Sequence, residues 1–438
     1  MIRNVLEFAK ISKIRTKIIS MKVFKFGGAS VKDAQAVKNL KDIAALYDEP
    51  LLIVVSAMGK MTNAFEKVVS KYFDAKDYQV ELNVIINYHY QIIADLFVDD
   101  FENVKREIDL IFDEIKVKLK YLRSDNYDFV YDQIVSFGEI ISTKIISHFL
   151  NTNQLKNVWV DIRKVLITDA NFRDAKVNWT AAESLVQNAF DFNNNSTFVT
   201  QGFLGCTQNN DVTTLGREGS DYTAAALGYL LNATDVIIWK DVEGVYNADP
   251  KLFADFQKLD KISYREAIEL AYFGAQVIHP KTIKPLQNKN IPLYVKSFLN
   301  PTGAGTKIAD FTDVEIKYKI PVFIVKSNQI LISIAAKDFS FVVEENLSEI
   351  FGLFASYGVK VNLMQNSAIS FSVCVNFDER KTNLLINEFR KQYKVLYNKN
   401  VELLTIHYFN PEAIDKVTNG KQIIVEQKSR NTARFVVK

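Results

Sequence analysis

From Lys22 onward, apolar and polar positions follow two alternating periods. Val23 to Phe26 is a short apolar run, Ser30 to about Leu46 carries apolar residues three and four apart, and Leu51 to Ser56 is again mostly apolar. Short apolar runs fit buried strands and the three-and-four spacing fits one face of a helix, so this segment reads as a βαβ unit. A long helical region with little strand character follows from Thr62 to about Leu150, including Phe129 to Leu150 with apolar residues at helical spacing.

Strand patterns resume at Val158 to Val160, Ser196 to Thr200, Asp235 to Trp239 and Pro292 to Val295. Helices are predicted between them near Trp179 to Phe190, Ser220 to Leu231 and Ser263 to Phe273. Residues 22–300 therefore read as one α/β domain, mostly parallel sheet between helices, with a helical lobe inserted. Pro301, Gly303 and Gly305 break the chain between Asn300 and Thr306, which places a boundary there and a linker over 301–320.

Beyond it, Pro321 to Ile334 reads as one or two strands, Asn346 to Tyr357 as a helix, Lys360 to Leu363 and Ala368 to Val375 as strands, and Lys381 to Tyr393 as a helix. That is a small α+β unit over 321–395. Residues 396–438 shorten the same plan, with a strand at Leu403 to Tyr408, a helix at Pro411 to Val417 and a hairpin from Gln422 to Val437.

Length changes the picture little: 438 residues exceed one core and suit two or three domains. Hydrophobic residues at 48% and charged residues at 24% describe a soluble globular chain. The net charge is only +3 and no block of like charges is present, so a nucleic-acid partner is not expected. No apolar run approaches the about 20 residues of a membrane span. Cys206 and Cys374 stand far apart, which argues against a disulfide framework or a zinc site and for a reducing, cytoplasmic setting. Arg3, Lys10, Lys13, Arg15 and Lys17 are scattered among apolar residues, unlike a secretory signal. Met21 directly precedes the first strand, so residues 1–21 read as a dispensable extension.

Lys25-Phe26-Gly27-Gly28-Ala29-Ser30 lies where a strand gives way to a helix, so backbone N–H groups can approach an oxyanion and Lys25 can neutralise a phosphoryl group. A simple tight turn is the alternative. Ser56 to Asn63 repeats the arrangement, with Thr62 placed as a helix cap. Thr214 to Asp221 joins a glycine-spaced turn to Arg217, whose fork suits a carboxylate or phosphate, and to Ser220 and Asp221. Ser220 as a helix cap is the bland reading. Trp239 to Lys251 offers a ring, carboxylates and amides to a nucleotide, or is an ordinary loop. Glu139, in Phe137-Gly138-Glu139, needs a cationic partner such as a substrate ammonium if it is buried. The scattered His89, His148, His279 and His407 give no catalytic triad. Direct phosphoryl transfer by positioning and charge is the chemistry these residues suit.

Taken in order from Lys22 to about Lys307, these motifs, with Asp161 and Arg163 and Gln201-Gly202-Phe203 among them, resemble the monofunctional aspartate kinases of the amino-acid kinase superfamily. The resemblance implies an amino-acid kinase fold followed by ACT-like regulatory domains. It implies catalytic roles for Lys25 and Asp221, and aspartate binding by Thr62, Glu139, Phe203, Arg217 and Ser220. ATP contacts fall on Gly27, Gly28, Ser56, Lys240, Asp241, Tyr246, Lys251 and Gln276, with Mg²⁺ carried by ATP and no metal site assigned to the protein. The product that the resemblance implies is aspartyl phosphate, on the way to lysine, threonine and methionine. A homodimer through the ACT-like pair is implied, as is lysine or threonine as effector. Asn362, standing where the effector loop usually has an acidic residue, speaks against simple feedback by either. Gln276 and Lys251 replace a Lys and an Arg common in the family, from which altered ATP affinity is expected. A fused dehydrogenase is not expected at this length. Kinases of acetylglutamate or uridine monophosphate share the glycine-rich strand ends without the helical lobe, and a sensor with a decayed kinase domain is the non-enzymatic reading.

Overall fold

The computed structural model describes residues 20–275, 278–311, 320–338, 341 and 343–438. By compactness the chain forms two units, one of residues 1–244 and 281–310, the other of 245–280 and 311–438.

In the first unit, β1 (Lys22–Phe26) leads through a 3₁₀ turn into α1 (Ala34–Ala44), whose start is capped by the Asp33 carboxylate accepting from the Ala36 amide at 2.8 Å. Strand β2 (Leu51–Val55) follows, then the helical lobe: α2 (Met61–Phe73), α3 (Gln79–Leu96), α4 (Phe101–Tyr121), α5 (Tyr127–Val135) and α6 (Phe137–Thr152). The chain returns to the sheet through β3 (Val158–Val160), α7 (Trp179–Ala189) and β4 (Thr197–Gln201). A hairpin of β5 (Leu204–Cys206) and β6 (Val212–Thr214) precedes α8 (Gly219–Leu230) and β7 (Asp235–Lys240). After the excursion to the second unit come α10 (Pro280–Asn288), β11 (Leu293–Ser297) and β12 (Thr306–Ala309).

The strands of this unit run in the order β12-β11-β7-β1-β2-β4-β3. All neighbours are parallel except β11 and β12. Strands β1, β2 and β4 are buried along nearly their whole length, as the continuous apolar runs require of a sheet covered on both faces.

In the second unit, β8 (Val245–Tyr246) pairs with β9 (Lys258–Leu259), and β10 (Lys261–Ser263) runs into α9 (Tyr264–Phe273). Ser263 and Glu266 close a capping box at that helix start. The remainder comprises β13 (Val322–Ala336), α11 (Glu344–Ser356), β14 (Val361–Asn366), β15 (Ser370–Asn376), α12 (Glu379–Gln392), β16 (Tyr393–His407), α13 (Pro411–Thr418), β17 (Ile423–Lys428) and β18 (Thr432–Val437). Its six strands form one antiparallel sheet, ordered β14-β15-β13-β16-β18-β17. The two α+β units expected from sequence therefore share one sheet, because β13 and β16 are long enough to serve both halves. Segment 245–280 is stitched to it by Asn247. The Asn247 side chain accepts from the Gln257 amide at 2.6 Å and donates to the Pro321 carbonyl at 3.0 Å, while its carbonyl accepts from the Phe323 amide at 2.7 Å.

Several local expectations change. Within the expected helical region, the apolar run from Phe129 to Leu150 divides into two helices at Ser136. The cluster from Asn300 to Thr306 is the turn between β11 and β12 rather than the boundary. Gly305 takes φ +70° there, and a Cβ on it would lie 2.3 Å from the Val295 carbonyl, so the breakers serve a tight reversal within the first unit. Residues 312–319 of the expected linker lie outside the described residues. Met21, assigned to the extension, is buried, and its carbonyl accepts from the Thr234 amide at 2.9 Å; residues 1–19 lie outside the described set.

Candidate active site

The parallel register aligns Phe26 with Val55 and Trp239, and Val55 with Gln201, so β1, β2, β4 and β7 end at one edge of the sheet. Open α/β sheets bind ligands at this edge. Gly27 and Gly28, Ser56, Gly202 and Phe203, and Lys240 and Asp241 all fall here.

The first two loops touch backbone to backbone. The Gly59 amide donates to the Gly28 carbonyl at 3.0 Å, and a Cβ on Gly28 would lie 2.5 Å from the Gly59 carbonyl oxygen and 2.9 Å from that of Ala57. Glycine is required at this approach. Ser56 Oγ donates to Ser220 Oγ at 2.9 Å, tying the second loop to the start of α8. Ser220 thus joins the loops instead of capping its helix, whose preceding residue is Glu218.

Lys25 Nζ lies 2.6 Å from Asp221 Oδ1, and Lys240 Nζ lies 3.6 Å from Oδ2. Burial alone would push the Asp221 carboxyl up; Lys25 and then Lys240 outweigh it and hold the carboxyl below its usual range. Two ammonium groups thus converge on the single carboxylate of Asp221, an arrangement that suits a polyanionic ligand.

Glu139, in the first turn of α6, is buried. Its Oε1 accepts from the Ala57 amide at 3.3 Å, while Oε2 has no hydrogen-bond partner. Burial pushes this carboxyl up to about 8; its backbone hydrogen bonds and the charge of Lys25 pull it back only in part. Gly138 lets α6 approach so closely that a Cβ on it would lie 3.0 Å from the Ala57 side chain.

Arg217 is exposed and forms no ion pair among the described residues. Its loop is bent by Gly216 at φ +76° and by Glu218 at φ +55°, a left-handed conformation that costs a non-glycine residue about 1–3 kcal/mol. Phe203, at φ +71°, donates its amide to Thr223 Oγ1 at 2.9 Å, and its ring occupies the space a Cβ on Gly219 would need.

Other expected positions behave differently. Thr62 lies within the first turn of α2, half-buried, because the helix begins at Met61 after Lys60, so it is no cap. Asp241 is exposed beyond β7. Trp239 offers no ring to a nucleotide: it is 1% exposed and stacks on Phe26 at 6.0 Å. Asp161 and Arg163 pair with each other at 2.7 Å, and Gln201 Oε1 accepts from the Ile162 amide at 2.8 Å, so these motif residues brace the sheet. Tyr246 and Lys251 belong to the second unit, where Tyr246 packs edge-on against Phe256 and Lys251 is exposed. Gln276 lies outside the described residues.

One residue escaped the sequence reading. Asp132 of α5 is fully buried, and accepts from the Arg173 amide at 3.0 Å, the Thr214 amide at 2.8 Å and the Thr214 hydroxyl at 2.7 Å. The signal was a carboxylate inside the apolar run Val130 to Val135, the same signal that marked Glu139.

The amino acid kinase family matches residues 20–297. Lysine-sensitive aspartokinase 3 of Escherichia coli is 31% identical over 355 residues, which are 81% of this chain and 78% of the relative. The bifunctional aspartokinase/homoserine dehydrogenase 2 of Arabidopsis thaliana is 30% identical over 381 residues, 85% of this chain; the chain spans only 42% of that relative's length. Among solved structures, E. coli aspartokinase III in complex with lysine and aspartate, and the same enzyme with aspartate and ADP, each superpose with a TM-score of 0.79 at 27% identity, covering 95% of this chain and 96% of theirs. With over half of the chain matched and the glycine-rich strand ends, Lys25, Glu139, Arg217 and Asp221 arranged as described, the chain belongs to the amino acid kinase family, a family of ATP-dependent kinases, and within it to the aspartokinases.

Proposed function

We propose that this chain transfers the γ-phosphoryl group of ATP to the side-chain carboxylate of L-aspartate, giving 4-phospho-L-aspartate and ADP, the first step toward lysine, threonine and methionine. The observation that carries the reading is the buried Lys25–Asp221 pair beside Glu139, a buried carboxylate with one oxygen free of partners. The α-ammonium of aspartate satisfies Glu139, and the uncommitted fork of Arg217 takes the α-carboxylate. Those two grips leave the side-chain carboxylate to face the phosphates, which rest on the backbone at Gly27 and Gly28. Lys25 and Lys240 neutralise charge that builds on the transferring group, while Ser56 and Ser220 keep the loops in register. Phe203 and Thr62 complete the pocket walls.

Among the described residues no group of three or more His, Cys, Asp or Glu side chains gathers at metal-binding spacing, and Asp221 is already engaged by two lysines. The donor set fits a magnesium ion held chiefly by the triphosphate, with Asp221 the carboxylate that would reach it; when bound, such an ion neutralises phosphate charge. Asp241 is a proposed nucleotide contact.

Trapping the acyl phosphate with hydroxylamine tests the reading: hydroxamate should form only with both ATP and aspartate and vanish in Lys25→Ala. A wild-type protein that makes none, or makes it equally from acetylglutamate, overturns it.

The proposal extends to an ACT-like role for the antiparallel sheet, pairing two chains and sensing an amino acid; the E. coli relative was solved in complex with lysine. Asn362 argues against lysine or threonine binding as in relatives with an acid there. It is buried, donates to Gln329 Oε1 and Asn376 Oδ1 at 2.8 Å each, and accepts from Lys326 Nζ at 3.0 Å, so its amide is spent within the sheet. A cytoplasmic location belongs to the same reading. Cys206 and Cys374 are buried free thiols, and no described helix is long and apolar enough to cross a membrane.

A further inference from the structure

We infer that Asp132 is a positioning residue that fixes the distance between the two groups gripping the amino-acid substrate, Glu139 and Arg217, and thereby sets aspartate affinity without touching aspartate. The inference rests on the phosphotransferase reading above.

Asp132 sits on α5, one short break before α6 and Glu139. Its Oδ1 accepts from the Thr214 hydroxyl and its Oδ2 from the amides of Thr214 and Arg173. Thr214 is the last residue of β6 and begins the loop that ends in Gly216, Arg217 and Glu218. Arg173, at φ +65°, and Asp174 form the floor beneath that loop: a Cβ on Gly216 would lie 2.8 Å from Asp174 Oδ1 and 2.9 Å from the Arg173 carbonyl oxygen. The Ala175 amide donates to the Thr214 carbonyl at 3.0 Å, closing the floor onto the loop. One carboxylate therefore hangs both the Arg217 loop and its floor from the helix pair that carries Glu139. A buried anion held by three neutral donors is costly unless geometry is kept, so such an anchor locks one arrangement.

The charged group facing Asp132 is Arg173 from the floor loop, with Tyr131 beside it on its own helix; Asp128 and, on α2, Glu66 face Arg173 instead. Arg173 lies over the Tyr131 ring at 4.2 Å and pairs with Asp128 at 3.2 Å and Glu66 at 3.5 Å, so its charge is shared and offsets little of the burial. Burial accordingly pushes the Asp132 carboxyl up to about 6, against the pull of its hydrogen bonds. Protonation near that pH removes one acceptor from a site with three donors and loosens the anchor.

Steady-state hydroxamate kinetics on the full chain test this with Asp132→Asn and Thr214→Val. Loss of an anchoring hydrogen bond of this kind is expected to raise KM for aspartate about tenfold in Asp132→Asn and about threefold in Thr214→Val, with KM for ATP changing less than about twofold. In wild type, kcat/KM for aspartate should fall as pH drops through Glu139 near 8 and steepen again near 6; Asp132→Asn should keep the first limb and lose the second. Equal shifts in both KM values, an unchanged KM for aspartate, or persistence of the limb near 6 overturns the inference. If Asp132→Asn does not fold, Thr214→Val decides: an unchanged KM for aspartate overturns it. A wild type without aspartate-dependent turnover overturns the phosphotransferase reading instead, so the two failures are distinguishable.

Discussion

The ammonium of Lys25 lies 2.6 Å from the carboxylate of Asp221, both buried at the carboxyl edge of the parallel sheet. Strand β1 supplies one partner and the first turn of α8 the other, so the pair also fixes that helix against the sheet. Replacing Lys25 by Ala removes the closest cation from Asp221 and, in the proposed reaction, one of the cations that meet the phosphates. Turnover in the hydroxamate assay is expected to fall by about 10²–10³. The Asp221 carboxyl is held low in the folded protein, so its contribution to stability is present above its unfolded pKa and is lost as pH falls through the folded one. Thermal melts from pH 7 downward should therefore drop less steeply in Lys25→Ala than in wild type.

Glu139 works in the opposite direction. Its carboxyl is raised from 4.5 to about 8, so between those values the folded state holds the extra proton and stability declines as pH rises. Glu139→Gln should raise the melting temperature at pH 8.5 while abolishing aspartate binding. In the wild type, an arriving ammonium favours the ionised carboxylate, so aspartate binding at pH 7 should release close to one proton. Calorimetry in buffers of different ionisation enthalpy reads that proton directly.

Gly28→Ala places a methyl group against two backbone carbonyls that have no rotamer to escape into. The first two loops must part, and the backbone proposed to bind the phosphates moves with them. KM for ATP is expected to rise about tenfold or more, with KM for aspartate less affected, in the same kinetic assay.

Arg217→Lys changes an exposed side chain with no ion pair among the described residues, so the melting temperature should stay within about 1–2 °C of wild type. A lysine cannot present the planar two-donor fork, and KM for aspartate should rise about 10- to 100-fold.

Residues whose placement is local were legible in the sequence. Gly27 and Gly28 at a strand end, Glu139 in an apolar helix and the Arg217 turn were read from their immediate neighbours. The cap at Thr62 and the open ring at Trp239 do not form, because a capping residue and an exposed ring look the same in sequence as a first-turn threonine and a buried indole. Asp132 carries the same local signal as Glu139, but its donors, Arg173 and Thr214, lie far from it along the chain and meet it only in the fold.

By itself the sequence determined the element types, the inserted helical lobe and the order of motifs, because buried strands and amphipathic helices write their periods over neighbouring residues. Only the tertiary structure decided that Ser56 meets Ser220 across 164 positions, that Lys25 meets Asp221, and that segment 245–280 belongs with the C-terminal sheet. Periodicity states which face of an element is buried. It does not state against what, since hydrogen bonds and ion pairs between distant segments form only once the chain has closed the intervening loops.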